Sequence, residues 1–212
     1  MSDAKSARAT ARTVGILIFD DVEVLDVCGP FEVFATATAP GESNREDRRL
    51  FEVITIAQAD ALVRCRGGLL IQPHRTIADH PRLDILVVPG GYGTRREQTN
   101  RALLDWIIRQ DKRTALTTSV CTGAFLLAAA GLLNGRRATS HWASIDWLRE
   151  HHPTVDVRAG ERVVDEGRII TSAGVSAGID MALHVVARLH GHDVARATAR
   201  DMEYDWRGDG SQ

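Results

Sequence analysis

Thr114–Gly131, TALTTSVCTGAFLLAAAG, decides the reading of this chain. It opens with strand character over Ala115 to Val120, reaches Cys121, and turns at once into a helix-forming run from Ala124 to Ala130. A cysteine between a buried strand and a helix N-terminus is placed for chemistry. The open N–H groups and positive dipole end of a helix stabilise an anion. A thiolate is such an anion, so the pKa of Cys121 is expected to fall below its free value of about 8.5. The turn also lifts the side chain above the sheet, as a nucleophile elbow does. Gly123 lets the backbone pass close to the strand. The residues alone leave a second reading open, in which Cys121 is a small buried apolar filler at a tight turn.

Upstream of this stretch, Val14 to Phe19 is a continuous apolar run, as a fully buried parallel strand should be. Val22 to Ala35 reads as a helix, with Pro30 expected to break or restart it. Asp26 is therefore expected in an irregular segment after the first strand, at the edge of the sheet where open α/β folds hold ligands. Residues 39–49 read as a loop and Leu50 to Ala57 as a second strand. Val63 to Ile71 reads as a hairpin around Gly67-Gly68, followed by an extended segment. Asp84 to Val88 is a further buried strand. It runs into Pro89-Gly90-Gly91-Tyr92-Gly93, whose backbone can approach a ligand closely but which lacks the GxGxxG spacing of a dinucleotide site. Asn100 to Asp111 is an amphipathic helix.

Downstream, Ala138 to Ser140 reads as a short strand and His141 to Arg149 as a helix. Three more strands are expected at residues 154–158, 162–164 and 168–172. A small-residue loop, Ala173 to Gly178, then enters a long helix, Ile179 to His190, which is expected to pack closely behind Cys121. A last helix runs from about Asp193 to Tyr204. This alternation predicts an α/β protein with a doubly wound, mostly parallel sheet and helices on both faces. The expected organisation is a frayed or disordered lead-in over residues 1–13, one domain over 14–206, and a tail over 207–212.

The 212 residues suit one domain, and 44% hydrophobic content is enough for a sizeable core. A formal net charge of −2 gives no electrostatic case for nucleic acid or membrane. The N-terminus has no apolar h-region, so no secretory signal is read there. The most apolar window, around Ala115 to Leu133, is too polar early on to span a bilayer. Three cysteines, Cys28, Cys65 and Cys121, show no metal-type spacing and fit free thiols in a reducing cytoplasm. The histidines give no dependable ligand spacing, so no metal is assigned. Cys28 reads as filler near Asp26. Cys65, flanked by Arg64 and Arg66, reads as an exposed bystander whose pKa the flanking charge could lower.

Taken together, LIFDDVEVLDVCGPFEVF (Leu17 to Phe34), VVPGGYG (Val87 to Gly93), TSVCTGAFLLAAAGLLNGRRATSHW (Thr118 to Trp142) and TSAGVSAGID (Thr171 to Asp180) resemble the ThiJ/PfpI superfamily. That superfamily is a flavodoxin-like branch of the class I glutamine amidotransferase fold. The resemblance covers nearly the whole chain. Within it, LD-x-x-GP after the first strand and SVCTG at the elbow are most similar to isonitrile hydratases. The same pattern occurs in sensor domains of AraC-type regulators, which append a helix-turn-helix region. The sequence ends at Gln212, which favours a stand-alone enzyme.

The resemblance implies that Cys121 is the nucleophile and that Asp26 sits beside it as the acidic partner. Two close anions repel, so Asp26 is held protonated more readily and can pass a proton during turnover. The alternative for Asp26 is a capping residue at a proline turn. The backbone N–H groups of Gly91 and Thr122 are the expected oxyanion donors. The Thr122 hydroxyl is expected near substrate, or else as a helix N-cap. Attack on an isonitrile carbon through a thioimidate requires no metal or organic cofactor. A homodimer acting on a small-molecule substrate is implied by the resemblance alone.

One departure narrows the chemistry. Many members of the superfamily have Cys-His-Gly, where this chain has Cys121-Thr122-Gly123. The late His and Glu of the amidotransferases are also absent from Ser172 to Ser176. His141 reads as structural. Two further readings stay open, a ligand-sensing module without turnover and a redox protein whose Cys121 is oxidised to a sulfinate.

Overall fold

The first strand, β1 (Arg12–Leu17), begins two residues before the expected Val14. Two backbone anchors start it early: Arg12 N–H donates to the Leu50 carbonyl at 3.0 Å, and Thr13 N–H donates to Asp84 Oδ2 at 2.9 Å. The structure, a computed structural model, describes residues 11–41 and 48–208. The first ten residues of the expected lead-in, residues 42–47 of the expected loop and the end of the expected tail lie outside the described residues.

Helix α1 (Val24–Thr36) runs without a break through Pro30, against expectation. Pro30 offers no N–H to the carbonyl of Asp26, so the helix loses a bond there. Packing outweighs that loss. Gly29 and Pro30 are buried against α6 (Ala177–His190): a Cβ at Gly29 would meet Ile179 Cγ1 at 2.9 Å, and one at Gly178 would meet Pro30 Cγ at 3.4 Å. Asp26 therefore lies in the first turn of a continuous helix, not in an irregular segment.

β2 (Phe51–Ala57) pairs parallel to β1, with Val14 opposite Val53. β3 (Val63–Arg64) and β4 (Leu70–Ile71) form the expected antiparallel hairpin. The segment expected only to be extended supplies β5 (Arg75–Thr76), a parallel neighbour of β2. β6 (Ile85–Val88) leads through the glycine-rich loop into a short helix, α2 (Thr94–Glu97), which the sequence did not announce. α3 (Arg101–Asp111) is capped by Asn100, whose side chain accepts from Leu103 N–H at 3.3 Å. Its buried Leu103, Leu104, Trp106 and Ile107 each stabilise the fold by about 1.5–3 kcal/mol through burial.

β7 (Leu116–Val120) is buried along its whole length and runs into α4 (Gly123–Ala129). β8 (Arg137–Ala138) and β9 (Asp156–Val157) pair with each other outside the main sheet. Between them, the helix expected from His141 is a 3-10 turn, Trp142–Ser144, followed by α5 (Ile145–His151). β10 (Val163–Asp165) and β11 (Ile169–Ser172) are joined through Gly167, a connection short enough only for antiparallel pairing. α7 (His192–Asp201) follows α6.

Among the described residues, seven strands form the main sheet in the order β10-β11-β7-β6-β1-β2-β5. Every pairing but β10–β11 is parallel. α1, α6 and α7 pack together in one layer, and α2 and α3 pack against α4 in another. This is a flavodoxin-like, doubly wound α/β fold. The chain leaves β1 for β2 on one side and returns to β6 on the other. That reversal opens a crevice at the carboxyl ends of β1 and β6, where such sheets hold ligands. Among the described residues, no helix is long and apolar enough to cross a membrane.

Candidate active site

The carboxyl end of β7 carries the elbow. Cys121 has φ of 57°, the left-handed region that a side chain enters at a cost of about 1–3 kcal/mol. Three contacts hold it there. Its N–H is shared between the carbonyls of Ser172 (3.2 Å) and Ala173 (3.1 Å), and its carbonyl accepts from Ser140 Oγ at 2.9 Å. Gly123 must lack a side chain, because a Cβ would sit 2.0 Å from the Val88 carbonyl oxygen. Gly90 is equally enclosed: its Cβ would lie 2.6 Å from Thr122 N and 2.8 Å from Cys121 Cβ.

The structure brings Asp26 beside Cys121. Asp26 is fully buried. Its Oδ2 accepts from Gly90 N–H at 2.9 Å. Its Oδ1 has no hydrogen-bond partner of good geometry among the described residues. The carboxyl is still close enough to the Cys121 thiol and the Val175 N–H for both to draw its pKa down. Burial is the larger effect, and it lifts the Asp26 pKa from 3.8 to about 7, with the Glu23 charge pushing the same way.

Cys121 moves opposite to expectation: its pKa is pushed up to about 12. Burial is the main cause, and the Asp26 charge adds to it. The Thr122 N–H, the Thr122 hydroxyl and the Val175 N–H pull it down, but they do not win. The helix N-terminus does reach the sulphur, through one amide. Desolvation of a residue only 6% exposed is stronger than that amide. Above about pH 7 the two groups together hold one proton and one negative charge, and they titrate as a pair.

Thr122 occupies the N-cap position of α4 but makes no side-chain cap bond. Its hydroxyl turns instead to the glycine-rich loop. Oγ1 accepts from Gly91 N–H at 3.0 Å and approaches the Gly91 carbonyl at 3.2 Å, and the Thr94 hydroxyl lies 3.1 Å away. The Gly91 amide, an expected oxyanion donor, is thus engaged by the Thr122 hydroxyl in this structure. Through this contact Gly91 ties the loop to the elbow. The N–H groups that act on the sulphur belong to Thr122 and Val175.

Val175, Gly90 and Thr94 were missed from the sequence. Val175 and Gly90 act through backbone N–H groups, which leave no residue-type signature. Thr94 had one usable signal, a hydroxyl residue directly after a glycine-rich loop. Val175 is also in the left-handed region, with φ of 55°.

His141 Nδ1 accepts from Ala143 N–H at 3.2 Å and caps the 3-10 turn, as expected. Cys28 is exposed. Cys65 corrects the reading of an exposed bystander: it is 1% exposed, and burial raises its pKa despite the flanking arginines. Its N–H donates to the Leu69 carbonyl at 2.8 Å, so the hairpin folds over it. Among the described residues, no group of three or more His, Cys, Asp or Glu side chains could hold a metal ion. The helix after the small-residue loop does pack behind the elbow, since a Cβ at Gly178 would lie 3.0 Å from both Val120 methyls.

Residues 12–188 match the DJ-1/PfpI family. The chain is 36% identical to an isonitrile hydratase of Pseudomonas putida over 195 residues, which is 92% of this chain and 79% of that protein. It is 28% identical over 194 residues to the HTH-type transcriptional regulator GbdR of Pseudomonas aeruginosa. That match spans 92% of this chain but 51% of the regulator. Among solved structures, a ThiJ/PfpI family protein from Pseudomonas syringae superposes with a TM-score of 0.82 at 30% identity, covering 99% of this chain and 81% of that one.

Proposed function

The chain belongs to the DJ-1/PfpI family, and from that premise we propose that it is a cysteine-dependent hydratase that converts an isonitrile and water to an N-substituted formamide. The observation that carries this reading is the fully buried Asp26 carboxyl beside Cys121, with its pKa lifted to about 7 and its Oδ1 without a hydrogen-bond partner among the described residues. The similarity to an isonitrile hydratase supports it.

An isonitrile, R–N≡C, adds a nucleophile and a proton to the same terminal carbon. Cys121 Sγ forms the new C–S bond. Its proton passes through the Asp26 carboxyl to that carbon, giving the thioimidate R–N=CH–S–Cys121. A carboxyl with a pKa of about 7 can both take and return a proton at neutral pH. Water then adds across the C=N bond, hydroxyl to carbon and proton to nitrogen. Collapse of this adduct breaks the C–S bond and returns the hydroxyl proton to the pair. The product is R–NH–CHO, and the pair is restored. The N–H groups of Thr122 and Val175 offset negative charge on the sulphur as it leaves. The Thr122 hydroxyl keeps the Gly91 loop against the elbow.

Turnover of a simple alkyl isonitrile, followed as formamide by NMR, tests this. The wild type should form formamide, and Cys121→Ala and Asp26→Asn should not. A folded wild type that makes no formamide removes the hydratase reading. The second reading is a ligand- or redox-sensing module without turnover, favoured by the match to GbdR across 92% of this chain. In that case small ligands should raise the melting temperature while no product forms. A homodimer is part of the same proposal, and light scattering at micromolar concentration checks it.

A further inference from the structure

We infer that Arg162 is a positioning residue: together with Asp180, Ser176 and Tyr204 it fixes the Ala173–Ser176 loop, and with it the Val175 amide, against the Asp26–Cys121 pair. The consequence for turnover rests on the hydratase reading. The consequence for the thiol does not.

The loop joins β11 to α6, and Ala173 is bonded on both sides. Its carbonyl accepts from Cys121 N–H at 3.1 Å, and its N–H donates to the Arg162 carbonyl at 2.9 Å. Residue 162 thus reaches the elbow through one intervening residue. Beyond Ala173, Gly174 packs against the His141 ring, where a Cβ would lie 2.2 Å from Cδ2, but the backbone hydrogen bonds are long. The bonds that start α6, Ala177 N–H to the Gly174 carbonyl and Gly178 N–H to the Val175 carbonyl, are 3.3 and 3.2 Å long. Ser176, at the N-cap of α6, makes no cap bond with its side chain. Yet Val175, a β-branched residue, is kept at φ of 55°. Such a conformation persists only where its surroundings over-determine it.

The Arg162 side chain supplies a restraint on the other flank of Val175, at Ser176 and Asp180. Its Nη2 donates to Ser176 Oγ at 3.1 Å, and its Nε donates to Asp180 Oδ2 in the first turn of α6. Asp180 is fixed in turn by the Tyr204 hydroxyl, at 3.1 and 3.2 Å from its two oxygens. The brace therefore spans the flank of β10, the start of α6 and the segment after α7, and it closes around Val175. The arginine is half-exposed, at 52% of its side-chain surface. Ion pairs this open add little to folding, so the geometry of the fork is what it contributes.

The test is the rate at which iodoacetamide alkylates Cys121, read by peptide mass across pH in a Cys28→Ser background, and it requires no turnover. The titrating groups that act on the pair are Asp26 and Cys121 themselves and Glu23, and all of these stay in place in the variants. Arg162→Met should raise the apparent pKa of Cys121 by about one unit, slowing alkylation at pH 8 about tenfold. Its melting temperature should stay near that of the parent. Arg162→Lys keeps the charge toward Asp180 without the planar fork, and it should recover part of the loss. Ser176→Ala, which removes one contact, should fall between Arg162→Met and the parent. With an isonitrile substrate, Arg162→Met should lower kcat and leave KM unchanged.

Parent-like alkylation in Arg162→Met at every pH overturns the brace. If Arg162→Met unfolds, Ser176→Ala and Arg162→Lys decide: parent-like alkylation in both overturns it, and slowed alkylation in both supports it. Slowed alkylation beside an absence of turnover in the wild type would leave the brace standing and remove only the hydratase reading.

Discussion

Helix α3 and the Cys121 elbow are built around one sheet, and they are built on opposite terms. In α3 every local choice agrees. Asn100 caps it, its apolar residues recur on one face, and those residues are buried. At the elbow the local choices conflict. A non-glycine residue is left-handed, a carboxyl oxygen is buried without a partner, and burial raises the pKa of two adjacent acidic groups. Agreement across levels gives stability, and its deliberate breach marks a site of chemistry. Mutations in the two regions should therefore separate stability from reactivity.

The largest separation is expected at Cys121. Cys121→Ala should lower isonitrile turnover about 10⁴-fold or more, as loss of a nucleophile does, while its denaturant midpoint stays close to that of the parent. Trp106→Ala in α3 should do the reverse. Trp106 is 1% exposed, and its Nε1 donates to His80 Nε2 at 3.0 Å. Its removal should cost about 3–5 kcal/mol in urea unfolding, with kcat per folded molecule unchanged.

Asp26→Asn should lose turnover and gain stability, with a defined pH dependence. Folding raises the Asp26 pKa from 3.8 to about 7, so the folded state favours the proton. The resulting cost is absent below pH 3.8, grows as pH rises toward 7 and is complete above it. At about 1.4 kcal/mol per unit, the asparagine variant should exceed the parent by up to about 4 kcal/mol at pH 8. The difference should vanish near pH 3.5, and unfolding at the two pH values reads it directly. The smallest effect is expected at the helix cap, where Asn100→Ala should cost about 1 kcal/mol of stability and leave turnover alone.

The same contrast explains what the sequence made legible. α3, the buried strands and the Cys121 turn were all readable, because each is encoded by neighbours in the chain. Asp26 and Thr122 came into view through the resemblance, and the structure places both against Cys121. The direction of the Cys121 pKa did not follow from the local helix. It is set by burial beneath segments far along the chain, with Asp26 ninety-five positions upstream as the second cause. Pro30 misled for a related reason: the lost bond is local, while the packing of Gly29 and Pro30 on α6 is not. Val175 was invisible because its contribution is an amide that almost any residue carries.

Gly90 and Gly123 have a further consequence. Each sits where a single added carbon would collide with main-chain atoms, Thr122 N in one case and the Val88 carbonyl in the other. In a library of all single substitutions, grown under selection for the activity, these two positions should be emptied of variants as thoroughly as position 121. The pocket walls can drift toward new substrates, but these two hydrogens in place of side chains leave the lineage no neighbouring sequence to explore.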